Sequence, residues 1–177
     1  MKEVLLIGNG PSCLDKELGE LIDSHETVIR FNDFETKGYE KHVGTKTDVW
    51  VKTKMSSKHI TKNFKSKFYV YPNIIRCTEE EKKILVNDGF NVIPVKFYNK
   101  VNKLLDAGNL WATTGLVMIY YFIEKGYNVK IHGFDFFENG VHYYKDDNKM
   151  IGHRPDLEKA LVNNLINKGE VKLLYNG

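Results

Sequence analysis

Glycines and polar side chains that could hold a nucleotide stand at three separate points of the sequence. Gly8-Asn9-Gly10 directly follows an apolar run, Asn32 follows a second one, and Thr113-Thr114-Gly115 precedes a third. Each could be a plain cap, because Asn caps loops and Thr caps helices. Together they favour a ligand: amides bind phosphate or ribose without adding negative charge, and a helix N-terminus attracts anions. We therefore expect one phosphate-binding site.

Two histidines in late, glycine-containing loops, His142 and His153, are candidates for proton transfer. A neutral imidazole near pH 7 is a good general base for a hydroxyl group. A single loop histidine is more often a surface residue, but two beside a phosphate site favour chemistry. Three others stand in polar, surface-like contexts: His25, His42 and His59. His132 is inside a strand, and we expect it to be structural.

The glycine loop does not match the common nucleotide-binding motifs. A dinucleotide fingerprint needs a third glycine where this chain has Cys13, and an acid near the end of the second strand, where Arg30-Phe31-Asn32 stands. The sequence contains no GxxxxGK[ST] motif. Asp146-Asp147 are adjacent rather than spaced for a metal–nucleotide bridge. We therefore expect neither a dinucleotide, nor a P-loop, nor a metal.

Strands and helices alternate along the whole chain. Strands are predicted at Glu3–Ile7, Thr27–Phe31, Thr47–Val51, Phe68–Tyr71, Asn91–Pro94, Asn128–Phe134 (a central strand) and Val171–Tyr175. Helices are predicted at Lys16–Ser24, Glu79–Asp88, Tyr98–Asp106, Leu116–Glu124 and Pro155–Asn167, and a loop or hairpin around Asn139-Gly140. This alternation predicts a Rossmann-like α/β fold, a three-layer α/β/α sandwich with a mostly parallel sheet. With 177 residues, we expect one domain, 1–177.

Composition indicates where such a protein would act. Two isolated cysteines, Cys13 and Cys77, have no zinc or CxxC spacing and fit a reducing cytosol. The longest apolar stretch, Leu116–Ile123, is too short to span a bilayer. The N-terminus runs directly into the first strand, so we expect no signal peptide. These observations predict a cytoplasmic protein without a transmembrane segment.

Residues 52–67 hold six lysines and no acid. If this segment is a helix, Lys54, Lys58 and Lys62 share one face. A solvated surface is the favoured interpretation. The alternative is a patch for an acidic glycan or a nucleic-acid backbone. The net charge of +3 does not by itself favour nucleic acid.

Residues 22–32 read IDSHETVIRFN and are followed by TKGYE at 36–40 and VGTKT at 43–47. This stretch resembles the large sialylmotif of the eukaryotic-type (family 29) sialyltransferases. In that family the pattern runs from a Gly-Asn strand end through IDSH, R-N and T-G-F/Y-E to VG-KT.

Three further motifs follow in the order of that family. Thr113-Thr114-Gly115 with Val129–Phe134 is similar to the small sialylmotif, where His132-Gly133-Phe134 stands for Tyr-Gly-Phe. His142-Tyr143-Tyr144 resembles motif III, and His153 with Glu158 matches the very small motif. The resemblance covers about residues 4–47 and 110–158.

The resemblance implies a glycosyltransferase A-like variant of the fold and inverting transfer of sialic acid from CMP-sialic acid to a sugar hydroxyl. Neither a metal nor a further cofactor is implied, since the CMP-sugar is the donor substrate. Asn9 and Asn32 would bind phosphate and ribose, and Thr114 with Gly115 would hold the cytidine and carboxylate end. The remaining donor contacts implied are Gly8, Gly10, Thr113, Gly133, Phe134 and Tyr143.

Roles in the reaction are implied for the two loop histidines. His142 would hydrogen-bond the leaving phosphate, and His153 would deprotonate the acceptor hydroxyl. Arg30 and Glu158 would support the site. The family's disulfide has no counterpart, because the matching positions, near Glu3–Val4 and at Gly126, hold no cysteine.

Alternatives remain for donor, acceptor and activity. Residues 48–109 carry no resemblance, so the acceptor glycan is not specified. The donor could be CMP-Kdo or another nucleotide sugar, and the acceptor lipopolysaccharide or modified DNA. A non-catalytic cytidine-nucleotide-binding protein is the third reading, and the presence of both His142 and His153 argues against it.

Overall fold

The computed structural model describes residues 2–53, 58–59, 62–70, 78–138, 140–146 and 152–175. Within these residues, seven strands form one sheet in the order β5-β4-β3-β2-β1-β6-β7, and every pairing is parallel. The strands are β1 (Glu3–Ile7), β2 (Val28–Phe31), β3 (Val49–Lys52), β4 (Ser66–Tyr69), β5 (Phe90–Val92), β6 (Asn128–His132) and β7 (Val171–Leu173). The predicted parallel α/β sheet is confirmed.

Helices cover both faces of the sheet. They are α1 (Gly19–Asp23), α2 (Glu40–Val43), α3 (Glu79–Asn87), α4 (Val95–Leu105), α5 (Thr114–Glu124) and α6 (Pro155–Asn167), with a 3₁₀ turn at Pro11–Leu14. Helices α4, α5 and α6 pack in one apolar cluster, and the 3₁₀ turn, α1, α2 and α3 pack in clusters on the opposite face. The three-layer sandwich predicted from the alternation is therefore present.

Side-chain alternation explains how one strand serves two cores. Val49 and Val51 of β3 face the cluster that contains α5, whereas Trp50 between them packs with Leu85 of α3 on the other face. Helix α5 is apolar on most of its circumference, as expected of a helix buried between the sheet and its neighbours.

Several element boundaries differ from the prediction. The strand expected to reach Phe134 ends at His132, because Gly133 takes a positive φ of 71°. Helix α4 begins three residues earlier than expected, directly after Pro94. Asn139 lies outside the described residues, so the expected turn around it is not described; His142 and Lys145 form one antiparallel bridge.

The strand order places a crevice at β1 and β6. The chain leaves β1 toward β2 and β5, but leaves β6 toward β7 in the opposite direction. Ligands of open parallel sheets bind outside the carboxyl ends of the strands at such a switch point. The segments after β1, β2 and β6 are therefore the expected walls of a binding site.

Candidate active site

A cavity of about 510 Å³ lies at this switch point. Its wall contains every residue predicted from the sequence to belong to the site except Arg30 and Tyr143. These lining residues are Gly8, Asn9, Gly10, Asn32, Thr113, Thr114, Gly115, Gly133, Phe134, His142, His153 and Glu158. The fold thus brings together segments more than 140 residues apart.

The glycine loop after β1 is in direct backbone contact with the end of β6. The Gly8 N–H donates to the His132 carbonyl at 2.7 Å, and the Gly10 N–H donates to the Gly133 carbonyl at 3.0 Å. A Cβ atom on Gly8 would lie 2.2 Å from the Gly133 oxygen. Glycine is required at position 8 because the two backbones approach too closely for a side chain.

Asn9 and Asn32 each use one end of the side-chain amide on the backbone. The Asn9 Nδ2 donates to the Phe31 carbonyl at 3.1 Å, and the Asn32 Oδ1 accepts from the Thr53 N–H at 3.2 Å. Asn32 adopts a left-handed backbone, φ 51°, which asparagine tolerates better than most residues. Among the described residues the other end of each amide makes no hydrogen bond, so both can bind a ligand in the cavity.

Helix α5 begins at the cavity. Its N-cap, Thr113, accepts from the Leu116 N–H through Oγ1 at 3.2 Å. The next two residues, Thr114 and Gly115, form the first turn of α5 and line the cavity. A Cβ atom on Gly115 would lie 2.7 Å from the Phe134 ring. The first turn of α5 therefore presents backbone N–H groups and the positive end of the helix dipole to a ligand.

Glu158 of α6 holds this helix start in place. Its carboxyl oxygens accept from the Thr113 N–H at 2.8 Å and from the Thr113 hydroxyl at 2.6 Å. Glu158 is buried, with 3% of its surface exposed. Burial raises the pKa of Glu158 to about 7, against the lowering effect of the two hydrogen bonds from Thr113.

His153 is held in one tautomer by the backbone. Its Nδ1 lies 2.6 Å from the Trp111 carbonyl oxygen, and a carbonyl can only accept. In the neutral ring Nδ1 therefore carries the proton, and Nε2 holds the lone pair needed to accept one. The Phe137 ring lies 6.5 Å away, centroid to centroid, and confines the imidazole from the side.

His142 is placed by the loop that follows β6. The Tyr143 N–H donates to the Asn9 carbonyl at 2.8 Å, which ties this segment to the glycine loop. The His142 ring packs on the Tyr144 ring at 5.1 Å, and both rings line the cavity. His142 therefore lies next to a residue that is hydrogen-bonded to Asn9, and both His142 and Asn9 line the cavity.

Tyr143 and Arg30 lie behind the cavity wall. Tyr143 is 8% exposed, packs with Leu5 and Ile7 on the opposite face of the sheet, and donates its hydroxyl to the Glu35 carbonyl. Burial raises its pKa. The implied donor contact of Tyr143 is corrected by this position: Tyr144, the next residue, lines the cavity instead.

Arg30 forms hydrogen bonds with the end of α2 and with the loop that follows it. It is 0% exposed, and its Nε donates to the Lys46 carbonyl and the Thr47 hydroxyl, each at 3.1 Å. A further nitrogen donates to the Val43 carbonyl. The guanidinium therefore fastens the loop after α2 to β2.

Two features of the wall were missed from the sequence. Asp135, two residues after Gly133, lines the cavity and accepts from the Ser12 N–H at 2.7 Å and from the Ser12 hydroxyl. The Trp111 carbonyl orients His153. Asp135 could have been noticed at the end of a strand next to a glycine, whereas a backbone carbonyl leaves no signal in a sequence.

Four of the six lysines in the run make contacts within the protein. Lys58 pairs with Glu35 at 2.9 Å and Lys65 pairs with Asp48 at 2.5 Å, while Lys67 donates to the Asp88 carbonyl. The Lys52 ammonium lies 4.5 Å from the centre of the buried Phe90 ring. Lys54 lies outside the described residues, and 58–59 and 62–65 are not helical. These contacts favour the interpretation as an ordinary surface.

The described part of the chain contains neither a metal-ligand cluster nor a membrane-spanning helix. There, no group of three or more His, Cys, Asp and Glu side chains could hold a metal ion. In the same residues, no helix has the length and apolar character to cross a membrane.

The sequence model of glycosyltransferase family 29 (sialyltransferase) matches residues 2–83. Over these residues, which are fewer than half of the chain, the sequence is similar to that family. Beta-galactoside alpha-2,6-sialyltransferase 2 of Bos taurus is 45% identical over 49 residues, which are 28% of this chain and 10% of that protein. Beta-1,6-galactosyltransferase GALT29A of Arabidopsis thaliana is 46% identical over 44 residues, which are 25% of this chain and 11% of that protein. The matches thus span about a tenth of these curated relatives.

Solved structures share the fold of nearly the whole chain. A mammalian sialyltransferase superposes with a TM-score of 0.77 at 21% identity, covering 97% of this chain and 68% of the other. A mammalian sialyltransferase in complex with Gal-beta-1-3GalNAc-ortho-nitrophenol superposes with a TM-score of 0.76 at 19% identity, and again 97% of this chain and 68% of the other are covered. At this identity the likeness establishes the fold.

Proposed function

We propose that this protein is an inverting, metal-independent glycosyltransferase that moves sialic acid from CMP-sialic acid to a sugar hydroxyl of a glycan acceptor. The observation that carries the proposal is the His153 geometry. Its Nδ1 is fixed on the Trp111 carbonyl, and the ring lines the same cavity as Asn9, Asn32 and the start of α5. A base and an anion site thus share one cavity.

The donor is held by groups that stabilise negative charge without adding any. Asn9 and Asn32 contact the phosphate and the ribose, and the first turn of α5 receives the cytidine and carboxylate end through Thr114 and Gly115. His142 donates a hydrogen bond to the phosphate as it leaves. Donors placed in advance around a leaving phosphate lower the barrier, because they need not reorganise during the reaction.

Transfer is a single displacement at the anomeric carbon. The acceptor oxygen forms its bond to that carbon on the face opposite the phosphate, while the bond to the CMP oxygen breaks and CMP departs. The hydroxyl proton passes to Nε2 of His153, and the charge left on Nδ1–H is shared with the Trp111 carbonyl. One displacement inverts the anomeric configuration.

The donor sugar has an alternative because one family 29 relative is named a beta-1,6-galactosyltransferase. A different nucleotide sugar, such as CMP-Kdo, could occupy the same cavity, with lipopolysaccharide or modified DNA as the acceptor. The non-catalytic reading predicts cytidine-nucleotide binding without turnover.

The test is a donor screen with product detection. The purified protein is incubated with CMP-sialic acid, CMP-Kdo or UDP-galactose, with and without EDTA, and the released nucleotide is measured. We expect CMP release from CMP-sialic acid that persists in EDTA. Release only from UDP-galactose, a strict requirement for a metal, or CMP binding without any release would contradict the proposal.

The base is tested by His153→Asn, which can keep an N–H toward the Trp111 carbonyl but has no proton-accepting nitrogen. We expect turnover to fall by about 10² to 10⁴-fold while CMP affinity is retained, since general base catalysis contributes a factor of this size. His42→Asn is the matched control: the His42 Nδ1 also lies 3.0 Å from a backbone carbonyl, that of Lys16, but His42 is not in the cavity wall. Equal losses in both variants would refute the role of His153.

A further inference from the structure

The carboxylate of Asp135 is built into the cavity wall beside the glycine loop. Its two oxygens accept from the backbone N–H and from the hydroxyl of Ser12. A Cβ atom on Gly10 would lie 2.5 Å from the Asp135 Cγ. The carboxylate therefore occupies the space that the glycine leaves open, and it remains part of the surface that a ligand meets.

This place is where related folds hold a second phosphate. In dinucleotide-binding α/β domains the pyrophosphate sits on the backbone N–H groups just after the first glycine turn. Here the N–H and hydroxyl of Ser12 are already used by Asp135. A second phosphate at this end of the cavity would meet a fixed negative charge in place of hydrogen-bond donors.

No cation is paired directly with the Asp135 carboxylate in the described part of the chain. Among the described residues, no lysine or arginine forms an ion pair with Asp135. The imidazole of His132 interacts electrostatically with the Asp135 carboxylate. Burial lowers the pKa of His132, however, so the imidazole is neutral near pH 7. The negative charge is therefore available to repel a ligand anion.

We propose that Asp135 is a specificity-determining residue that makes the cavity accept nucleotides with one phosphate and reject those with two. The inference rests on the proposed function, because it assumes that a cytidine nucleotide occupies the cavity. It adds to that function the reason why a CMP-linked donor, rather than a diphosphate-linked one, fits this chain.

The experiment compares the affinities of CMP and CDP by isothermal titration calorimetry. For the parent protein we expect CMP to bind at least about tenfold more tightly than CDP, the size of a like-charge penalty at a partly screened site. Asp135→Asn removes the charge at nearly constant volume and should reduce the ratio to about threefold or less. Asp33→Asn, which neutralises another carboxylate of the cavity wall, is the matched control and should keep the parent ratio.

Thermal unfolding of each variant is measured in parallel. If Asp135→Asn does not fold, Asp135→Ser, which can still accept a hydrogen bond from Ser12, carries the same comparison. An unchanged CMP-to-CDP ratio in a folded Asp135 variant overturns this inference and leaves the proposed function intact. A parent protein that binds CDP as tightly as CMP also overturns it. A parent protein that binds neither nucleotide overturns the proposed function and this inference together.

Discussion

Glu158 lines the cavity, but its carboxyl group is bound by another residue of the protein. Both of its oxygens are engaged by Thr113, so it serves the start of α5 rather than a substrate. Its burial nevertheless raises its pKa to about 7, far above the 4.5 of an ordinary glutamate. The start of α5 therefore rests on a carboxyl group that titrates near physiological pH.

Glu158 predicts a specific dependence of stability on pH. Between pH 4.5 and about 7 the folded protein keeps the proton and the unfolded chain loses it, so the free energy of unfolding falls as pH rises. Glu158→Gln stays neutral. Its stability relative to the parent should therefore increase by up to about 3 kcal/mol between pH 5 and pH 8, measured by urea unfolding.

The control for this measurement lies on the same helix. Asp156 is an exposed carboxylate that pairs with Arg154. Asp156→Asn should show no such increase relative to the parent. A flat difference between Glu158→Gln and the parent across this pH range would show that Glu158 is ionised in the folded protein throughout.

At the scale of elements, Thr113 links α5 to α6 at the cavity. Thr113 accepts from the Leu116 N–H as the N-cap of α5 and donates to Glu158 of α6. A helix of this length is only marginally stable in isolation and depends on packing within the protein. Its first turn needs such hydrogen-bond partners to stay ordered. The position of Thr114 and Gly115 in the cavity depends on this junction.

Removing the Thr113 hydroxyl should therefore lower the free energy of unfolding by more than the loss of an ordinary helix cap does. Thr113→Ala loses the cap and leaves the buried Glu158 without one donor, so we expect a loss of about 2 kcal/mol. Thr113→Ser keeps both hydrogen bonds and should stay within about 0.5 kcal/mol of the parent.

An exposed cap in the same protein calibrates this loss. Thr78 caps α3 in a capping box with Glu81, and Thr78→Ala should cost about 1 kcal/mol. Chemical denaturation of the three variants gives the comparison. If Thr113→Ala costs no more than Thr78→Ala, the link to Glu158 adds nothing to stability.

At the scale of the whole molecule, the segments that follow β1 and β6 are in close contact beside the cavity. Gly133, at the end of β6, lies against Cys13 in the turn after β1: a Cβ atom on Gly133 would be 2.1 Å from the Cys13 Sγ. Gly133 also has a positive φ of 71°. Two segments 120 residues apart in the chain thus meet with no space for a methyl group.

Gly133→Ala should destabilise the fold by about 3 kcal/mol, from the strained φ and the overlap with sulfur combined. Gly169→Ala isolates the first contribution, because Gly169 has φ 74° but no atom within 4 Å of the place that a methyl group would take, and should cost about 1 kcal/mol. Adding Cys13→Ala to Gly133→Ala should recover more than 1 kcal/mol in a double-mutant cycle. Strict additivity of the two substitutions would contradict the contact.

The sequence by itself determined the alternating parallel α/β fold and twelve residues of the cavity wall. Apolar runs that end before Gly8 and Asn32 identify two strand ends, and parallel strands bring their carboxyl ends to one edge. The motif resemblance then selected His142, His153 and Glu158. Local pattern and motif order carried these predictions because both are written in short stretches of chain.

Only the tertiary structure decided contacts between distant segments. Tyr143 and Tyr144 are adjacent and chemically alike, yet packing against Leu5 and Ile7 turns the first away from the cavity. The approach of β1 to β6 decided that Asp135 fills the space beside Gly10. The meeting of the segments before α5 and α6 decided that the Trp111 carbonyl sets the tautomer of His153. Such contacts depend on which backbones meet in space, and no local pattern of residues encodes that.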